Sequence, residues 1–181
     1  MASEKRKRMT IVVPAQTPHE QRVLQNLFEL YLYDFSTIEP QPIGADGRFS
    51  RPEMLAAYWA DPQRYPFLIQ QESTPIGFAL VKRGSALAGD LEAMDLAEFF
   101  ILRSFRRSGL GGQAAHQVWD RFPTLTRWLV RVLAVNTPAL AFWEAAIAPY
   151  TRGEYVREQI RQHDYTPLRE WVIFRFQRPA T

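Results

Sequence analysis

Leu96-Ala97-Glu98-Phe99-Phe100-Ile101-Leu102 is followed, after Arg103-Ser104-Phe105, by Arg106-Arg107-Ser108-Gly109-Leu110-Gly111-Gly112, and then by a helix-like stretch from Gln113 to Asp120. The first segment is nearly continuous in apolar character, as a central buried strand is. A glycine-rich bend between a strand and a helix suits a diphosphate. Glycines remove the Cβ atoms that would hold an anion away from the backbone, successive N–H groups converge on phosphate oxygens, and the helix presents the positive end of its dipole. Arg106 and Arg107 add positive charge beside them.

The spacing separates the phosphate-binding classes. A nucleoside-triphosphate loop needs a lysine after its last glycine, and none is present. A dinucleotide fingerprint needs a third glycine at Gln113 or Ala114 and an acidic residue about twenty positions on, and both are missing. What remains, Arg-x-x-Gly-x-Gly, resembles the acetyl-CoA loop of the GNAT superfamily of N-acetyltransferases. Further on, a strand-like run from Arg127 leads into Asn136-Thr137-Pro138-Ala139-Leu140-Ala141-Phe142-Trp143-Glu144. This is similar to the superfamily's second signature, in which the Asn contacts the pantetheine arm and the helix closes over the cofactor thiol. Read without the resemblance, Asn136 is a helix cap and Phe142 and Trp143 are core.

The remaining elements fall into place around these two junctions. Thr10 to Pro14 reads as a strand, and Thr17-Pro18-His19-Glu20 supplies an N-cap, a proline in the first turn and a capping-box Glu. Leu24, Leu27, Phe28, Tyr31 and Phe35 keep helical spacing until the proline-rich stretch from Pro40 to Gly47. Ser50-Arg51-Pro52-Glu53 starts a second helix that runs to about Ala60, and Phe67–Gln71 with Ile76–Lys82 form a hairpin around Ser73-Thr74-Pro75. Arg83 to Asp90 reads as a loop of small residues. Strands are expected over Arg127–Val135, Glu154–Arg161 and Trp171–Gln177, with a helix from Thr137 to about Ala148. The order β-α-α-β-β-β-α-β-α-β-β is that of the GNAT fold: α/β (α+β), with a mixed central sheet of about six to seven strands flanked by helices.

Composition bounds the function. A chain of 181 residues, 46% of them hydrophobic, makes one compact domain, here residues 9–178, burying roughly 70% of its unfolded surface. No apolar run approaches the ~20 residues that a membrane helix needs, and no secretory leader is present, so the protein is expected in the cytoplasm. Lys5, Arg6, Lys7 and Arg8 against Glu4 account for the whole net charge of +3. Residues 1–8 therefore read as a disordered basic tail, and the neutral body is a poor nucleic-acid binder. The chain has no cysteine, which excludes disulfides, thiolate metal sites and an acyl-cysteine intermediate. His19, His116 and His163 offer no metal-ligand spacing, so no metal is expected; His116 faces either phosphate or solvent.

Chemistry then selects residues. An amine with a pKa near ~10.4 is only about one part in a thousand neutral at pH 7.4, so a base is needed. Glu98, a carboxylate in an apolar strand, is the candidate base; the alternative is a structural carboxylate bonded to an arginine such as Arg131, and Asp95, near a solvated strand end, is the second choice. The resemblance implies that Phe100, Ile101 and Leu102 offer main-chain groups to pantetheine, that Arg106, Arg107, Ser108, Gly109, Leu110, Gly111 and Gly112 hold the diphosphate, and that Asn136, Phe142 and Trp143 flank the thiol end. The superfamily's tyrosine acid is replaced by Trp143, whose indole N–H is not a useful acid. Tyr150, or water, is left to protonate the thiolate. The resemblance also implies that the segment between the first two helices shapes the acceptor pocket, here Leu30 to Pro52 with Tyr31, Tyr33, Asp34 and Phe35; aromatics with a carboxylate suit a cationic amine, although Tyr31 and Phe35 also fit the buried helix stripe. The expected activity is direct transfer of an acetyl group from acetyl-CoA to a primary amine of a small molecule or peptide. The alternative is a catalytically weak acyl-CoA-binding sensor, which the Trp143 substitution favours. Homodimers are common in the superfamily, and nothing in these residues marks an interface.

Overall fold

A computed structural model of the protein describes residues 10–49, 52–125, 127–162 and 168–179. The expectations for the tail at residues 1–8, for Met9 as the first residue of the domain, for Ser50-Arg51 as a helix start and for His163 lie outside the described residues. The elements are β1 (Thr10–Pro14), α1 (Pro18–Phe35), α2 (Pro52–Ala60), β2 (Arg64–Gln71), β3 (Thr74–Ser85), β4 (Asp90–Ile101), a single 3-10 turn (Arg103–Phe105), α3 (Leu110–Asp120), β5 (Arg127–Leu133), α4 (Thr137–Thr151), β6 (Tyr155–Gln162) and β7 (Arg169–Gln177). Their order is the one read from the sequence. They build one seven-stranded sheet in the order β1-β2-β3-β4-β5-β7-β6. All neighbours are antiparallel except β4 and β5.

Local chemistry explains the element ends. At α1, Thr17 and Glu20 complete the capping box with Pro18 in the first turn, satisfying amides that the helix itself cannot. Between β2 and β3 the expected turn at Ser73–Pro75 moves back. Glu72 and Ser73, both at positive φ, make a two-residue connection between Gln71 and Thr74, the turn geometry whose twist matches a hairpin. The expected loop from Arg83 to Asp90 is half strand, with the turn confined to residues 86–89. β3 runs to Ser85 and β4 starts at Asp90, because the Ser85 hydroxyl caps the Ala88 amide at 3.3 Å and Gly89 takes positive φ, closing a short turn. β5 stops at Leu133, short of Val135, and α4 continues past Ala148 to Thr151.

The sheet has a core on each face. One, under α3 and α4, includes Ile69, Leu96, Trp119, Trp128, Ile147 and Phe174; the other, under α1 and α2, includes Leu24, Leu55, Leu68, Phe78 and Phe100. Each fully buried aromatic or aliphatic side chain stabilises the fold by about 1.5–3 kcal/mol relative to exposure. These two layers hold β4 and β5 rigidly where they diverge.

Candidate functional site

β4 and β5 pair only at Met94–Trp128, Asp95–Leu129 and Leu96–Val130, yet both strands continue, to Ile101 and Leu133. Beyond Leu96 they separate. At that same point β4 slips by one residue against β3: Val81 faces Leu96, but Leu80 faces Glu98. Ala97 is the inserted residue of a bulge, which reverses the alternation of side chains. Asp95 and Glu98, three apart, therefore face the same side of the sheet, the α1 side. The Leu102 N–H donates to Ile76 O at 2.8 Å, and since successive strand residues turn their main-chain groups to opposite sides, Ile101 faces the gap between β4 and β5. Of the expected trio, Ile101 alone presents its main chain there. Phe100 and Leu102 turn theirs to β3.

The bend beyond β4 differs from expectation in its arginines. Arg106 donates from Nε to Ile101 O at 2.7 Å and from Nη2 to Asp34 at 2.6 Å, and its guanidinium lies over the Phe100 ring. Arg103 also pairs with Asp34. Asp34 is thus turned to these two arginines and does not line the cavity with Tyr31 and Phe35. Burial pushes its carboxyl up, but hydrogen bonds from Arg106 and Arg103 outweigh that and hold it below the ordinary range. Arg106 ties the bend to α1, while Arg107 is exposed at positive φ and the Ser108 hydroxyl donates to Phe105 O at 2.5 Å.

Gly109 caps α3 at φ 80, a conformation that glycine adopts without strain. The Gln113 N–H makes the bond back to Gly109 O at 3.2 Å, so the amides of Leu110, Gly111 and Gly112 precede any that the helix can satisfy. A Cβ on Gly111 would stand 3.0 Å from the Phe142 ring, and one on Gly112 would meet nothing within 4 Å. Phe142 in turn stacks on Phe99, with ring centroids 5.7 Å apart. The start of α3, the side of α4 and the end of β4 converge. Free amides, an open surface at Gly112 and the stretch of β4 at Ile101 that β5 does not pair, where Ile101 O accepts from Arg106, fit an extended ligand with a diphosphate, as acetyl-CoA is.

A cavity of about 340 Å³ opens between the diverging strands, lined among others by Tyr31, Phe35, Glu98, Arg131, Asn136 and Trp143. The Tyr31 hydroxyl donates to Glu98 Oε2 at 2.5 Å. Burial pushes the Glu98 carboxyl above its ordinary range, against the opposing effects of the Tyr31 hydrogen bond and the Arg131 charge; burial and the neighbouring Glu98 push the Tyr31 hydroxyl well up. Arg131 is bonded not to Glu98 but to Asp95, at 2.9 Å. Asp95 is not at a solvated end either: it is fully buried, and burial raises its carboxyl while Arg131 and Lys82 oppose the shift. Asn136 caps α4 by accepting from the Ala139 N–H at 3.2 Å and lines the cavity, and its NH2 group makes no hydrogen bond among the described residues. Trp143 packs edge-on against Phe99 at 5.1 Å.

Tyr150 stands apart from this group. Its hydroxyl donates to Asp120 at 2.8 Å, its ring lies 4.7 Å from that of Trp119, and burial with the Asp120 bond pushes the hydroxyl up, making it a poorer acid. It does not line the cavity. His116 is half-buried and turns Nε2 to α4, at 2.8 Å from Ala146 O. Sequence reasoning missed Trp171, whose ring lies 5.8 Å from the Arg131 guanidinium, and the ion pair of Arg169 with Glu39, all three of which line the cavity. These come from the last hairpin and the α1–α2 connection, where no local motif marks them. Among the described residues no three His, Cys, Asp or Glu side chains form a metal-holding group, and no helix is long and apolar enough to cross a membrane.

Similarity to known proteins agrees with this geometry. No curated protein matches the chain. Among solved structures, an acetyltransferase from Thermus thermophilus is similar over 91% of this chain and 96% of its own, with 21% identity and a TM-score of 0.65. The ribosomal-protein-S18-alanine N-acetyltransferase from Escherichia coli covers 96% of each chain at 13% identity and a TM-score of 0.62. A GNAT family acetyltransferase from Elizabethkingia anophelis, with acetyl-CoA bound, covers 93% of this chain and 97% of its own at 13% identity and a TM-score of 0.61. At such identities the likeness speaks to the fold. The model of the acetyltransferase (GNAT) family matches residues 24–147, which include both the glycine bend and the Asn136 junction, and this protein belongs to the GNAT acetyltransferase family.

Proposed function

We propose that this protein transfers the acetyl group of acetyl-CoA directly to a primary amine, with Glu98 taking the proton from the acceptor. The observation that carries the reading is the place of Glu98: in the cavity at the divergence of β4 and β5, with its carboxyl raised by burial. A raised carboxyl is a better match to the proton of an ammonium than an ordinary one. Bound acetyl-CoA supplies an activated acyl carbon. The amides of Leu110, Gly111 and Gly112 hold its diphosphate, with Arg107 beside them; the Ile101 main chain and the Asn136 side chain orient the arm; Phe142 and Trp143 pack beside the thiol end, which stays open to the water that protonates the thiolate. Arg106 serves as a strut for the bend through Ile101 and Asp34. Without cysteine in the chain, no acyl-enzyme on sulfur stands between donor and acceptor. The bound acetyl-CoA of the Elizabethkingia anophelis protein supports the choice of donor.

The proton for the leaving thiolate comes from water in this reading, since Trp143 stands in the tyrosine position and Tyr150 is bonded to Asp120. That same arrangement favours a second reading, an acyl-CoA-binding sensor with little turnover. Release of free thiol from acetyl-CoA in the presence of an amine panel separates them. Amine-dependent release that falls about 10²–10⁴-fold in Glu98→Gln, with acetyl-CoA still raising the melting temperature of that variant, is the expected result. Tight acetyl-CoA binding with no amine-dependent thiol supports the sensor instead.

A further inference from the structure

We infer that the acceptor is an amine that also carries a carboxylate, bound with its amine at Glu98 and its carboxylate at the outer nitrogens of Arg131. This rests on the acyl-transfer reading and names its substrate class. Arg131 is held in place from behind: Nε bonds Asp95 at 2.9 Å, Asp95 is wholly buried, and Trp171 covers the guanidinium plane at 5.8 Å. The group cannot swing away without stranding Asp95. Its two Nη groups nevertheless make no hydrogen bond among the described residues, although the side chain is only 14% exposed and lines the cavity. Outer N–H groups that reach the cavity and meet no protein acceptor are open to the oxygens of a ligand. The paired N–H groups of a planar fork match the two oxygens of a carboxylate.

Charge balance points the same way. Asp95 is flanked by both Lys82, at 3.9 Å, and Arg131, and ionised Glu98 brings this cluster to neutrality. Glu39 and Arg169 form an ion pair at the same cavity. A cavity that is neutral among the described residues and presents a carboxylate and a guanidinium separately is matched by a zwitterion, whose two charges each find an opposite. A dianionic phosphate would leave net negative charge in it, and a polyamine net positive.

The test uses matched acceptors on the intact protein: amino acids with α, β and γ spacing of the two groups, each against its carboxamide and its decarboxylated amine, with thiol release from acetyl-CoA as the readout. The best amino acid should exceed its own amide and amine in kcat/KM by about ten- to a hundredfold, the loss of a charge-assisted hydrogen-bonded pair. Amides or plain amines that match or exceed every acid overturn the proposal and leave the acyl-transfer reading standing. No release with any amine overturns that reading and the proposal together. Arg131→Lys keeps the charge beside Asp95 but removes the fork, and should shrink the acid preference severalfold, mainly through KM. An undiminished preference in that variant overturns the assignment to Arg131, and the wild-type panel decides the substrate class even where the variant is unstable.

Discussion

Gly112→Asp separates cofactor binding from folding, because the two effects have opposite signs at this position. A Cβ there meets nothing within 4 Å, so the substitution carries no packing cost. Residue 112 lies in the first turn of α3, three residues past the Gly109 cap, where a carboxylate gains about 0.3–1 kcal/mol from the helix dipole. At roughly 2–4 °C per kcal/mol for a domain of this size, the free protein should melt at the wild-type temperature or up to about 4 °C above it. The same carboxylate sits where the diphosphate is expected, and two unit charges about 4 Å apart repel by about 4 kcal/mol at an effective dielectric of 20. With acetyl-CoA at a hundred times its Kd, the wild type should gain about 2.7 kcal/mol, or about 5–11 °C; the variant should gain almost nothing. Gly111→Ala is the contrasting control. Its Cβ would press to 3.0 Å on the Phe142 ring, which is stacked on Phe99 and cannot easily retreat, so overpacking of about 1–3 kcal/mol should lower the melting point of the free protein. Thermal melts of both variants with and without acetyl-CoA decide the matter. A full cofactor-induced shift in Gly112→Asp refutes the diphosphate cradle, and a Gly111→Ala protein as stable as Gly112→Asp refutes the packing argument.

Tyr31→Phe removes a hydrogen bond that favours the ionised form of Glu98, so the Glu98 carboxyl should rise further and the acidic limb of the kcat/KM profile should move to higher pH. An unmoved limb with altered KM alone would make Tyr31 a wall of the pocket and nothing more. Asp34→Asn should cost about 1 kcal/mol near neutral pH, seen as a drop in melting temperature relative to wild type. Because the folded carboxyl is held below its ordinary range, its contribution is present above the ordinary carboxylate pKa and is lost as pH falls through the lowered one. The gap between variant and wild type should therefore close on acidification; a constant gap would assign the loss to packing instead.

The features legible in the sequence are those whose signals are local. Thr17, Pro18 and Glu20 cap α1 through bonds within four residues, and the strand-bend-helix junctions at Gly109 and Asn136 carry their own turn chemistry. What was not legible depends on partners far along the chain. Arg106 looks like a phosphate ligand until Asp34, 72 residues earlier, is brought beside it. Tyr150 shares a helix face with Trp143, but seven residues are about 10.5 Å along the axis, far enough to move its hydroxyl from the cavity to Asp120.

The bulge at Ala97 is the most consequential of these hidden features. In an unbroken strand Asp95 and Glu98 would point to opposite faces, so a carboxylate pair three residues apart reads as two unrelated groups. With one residue inserted against β3, both turn to the α1 side, and a division of labour follows from their partners. Asp95, wholly buried, takes Arg131 and Lys82 and fixes the guanidinium in the cavity wall. Among the described residues Glu98 is bonded only by the Tyr31 hydroxyl, and in the proposed reaction its other oxygen takes the acceptor. Had the arginine bonded Glu98 directly, it would have opposed burial more strongly; by committing the arginine to Asp95, the bulge leaves Glu98 raised by burial, as the proposed role of base requires.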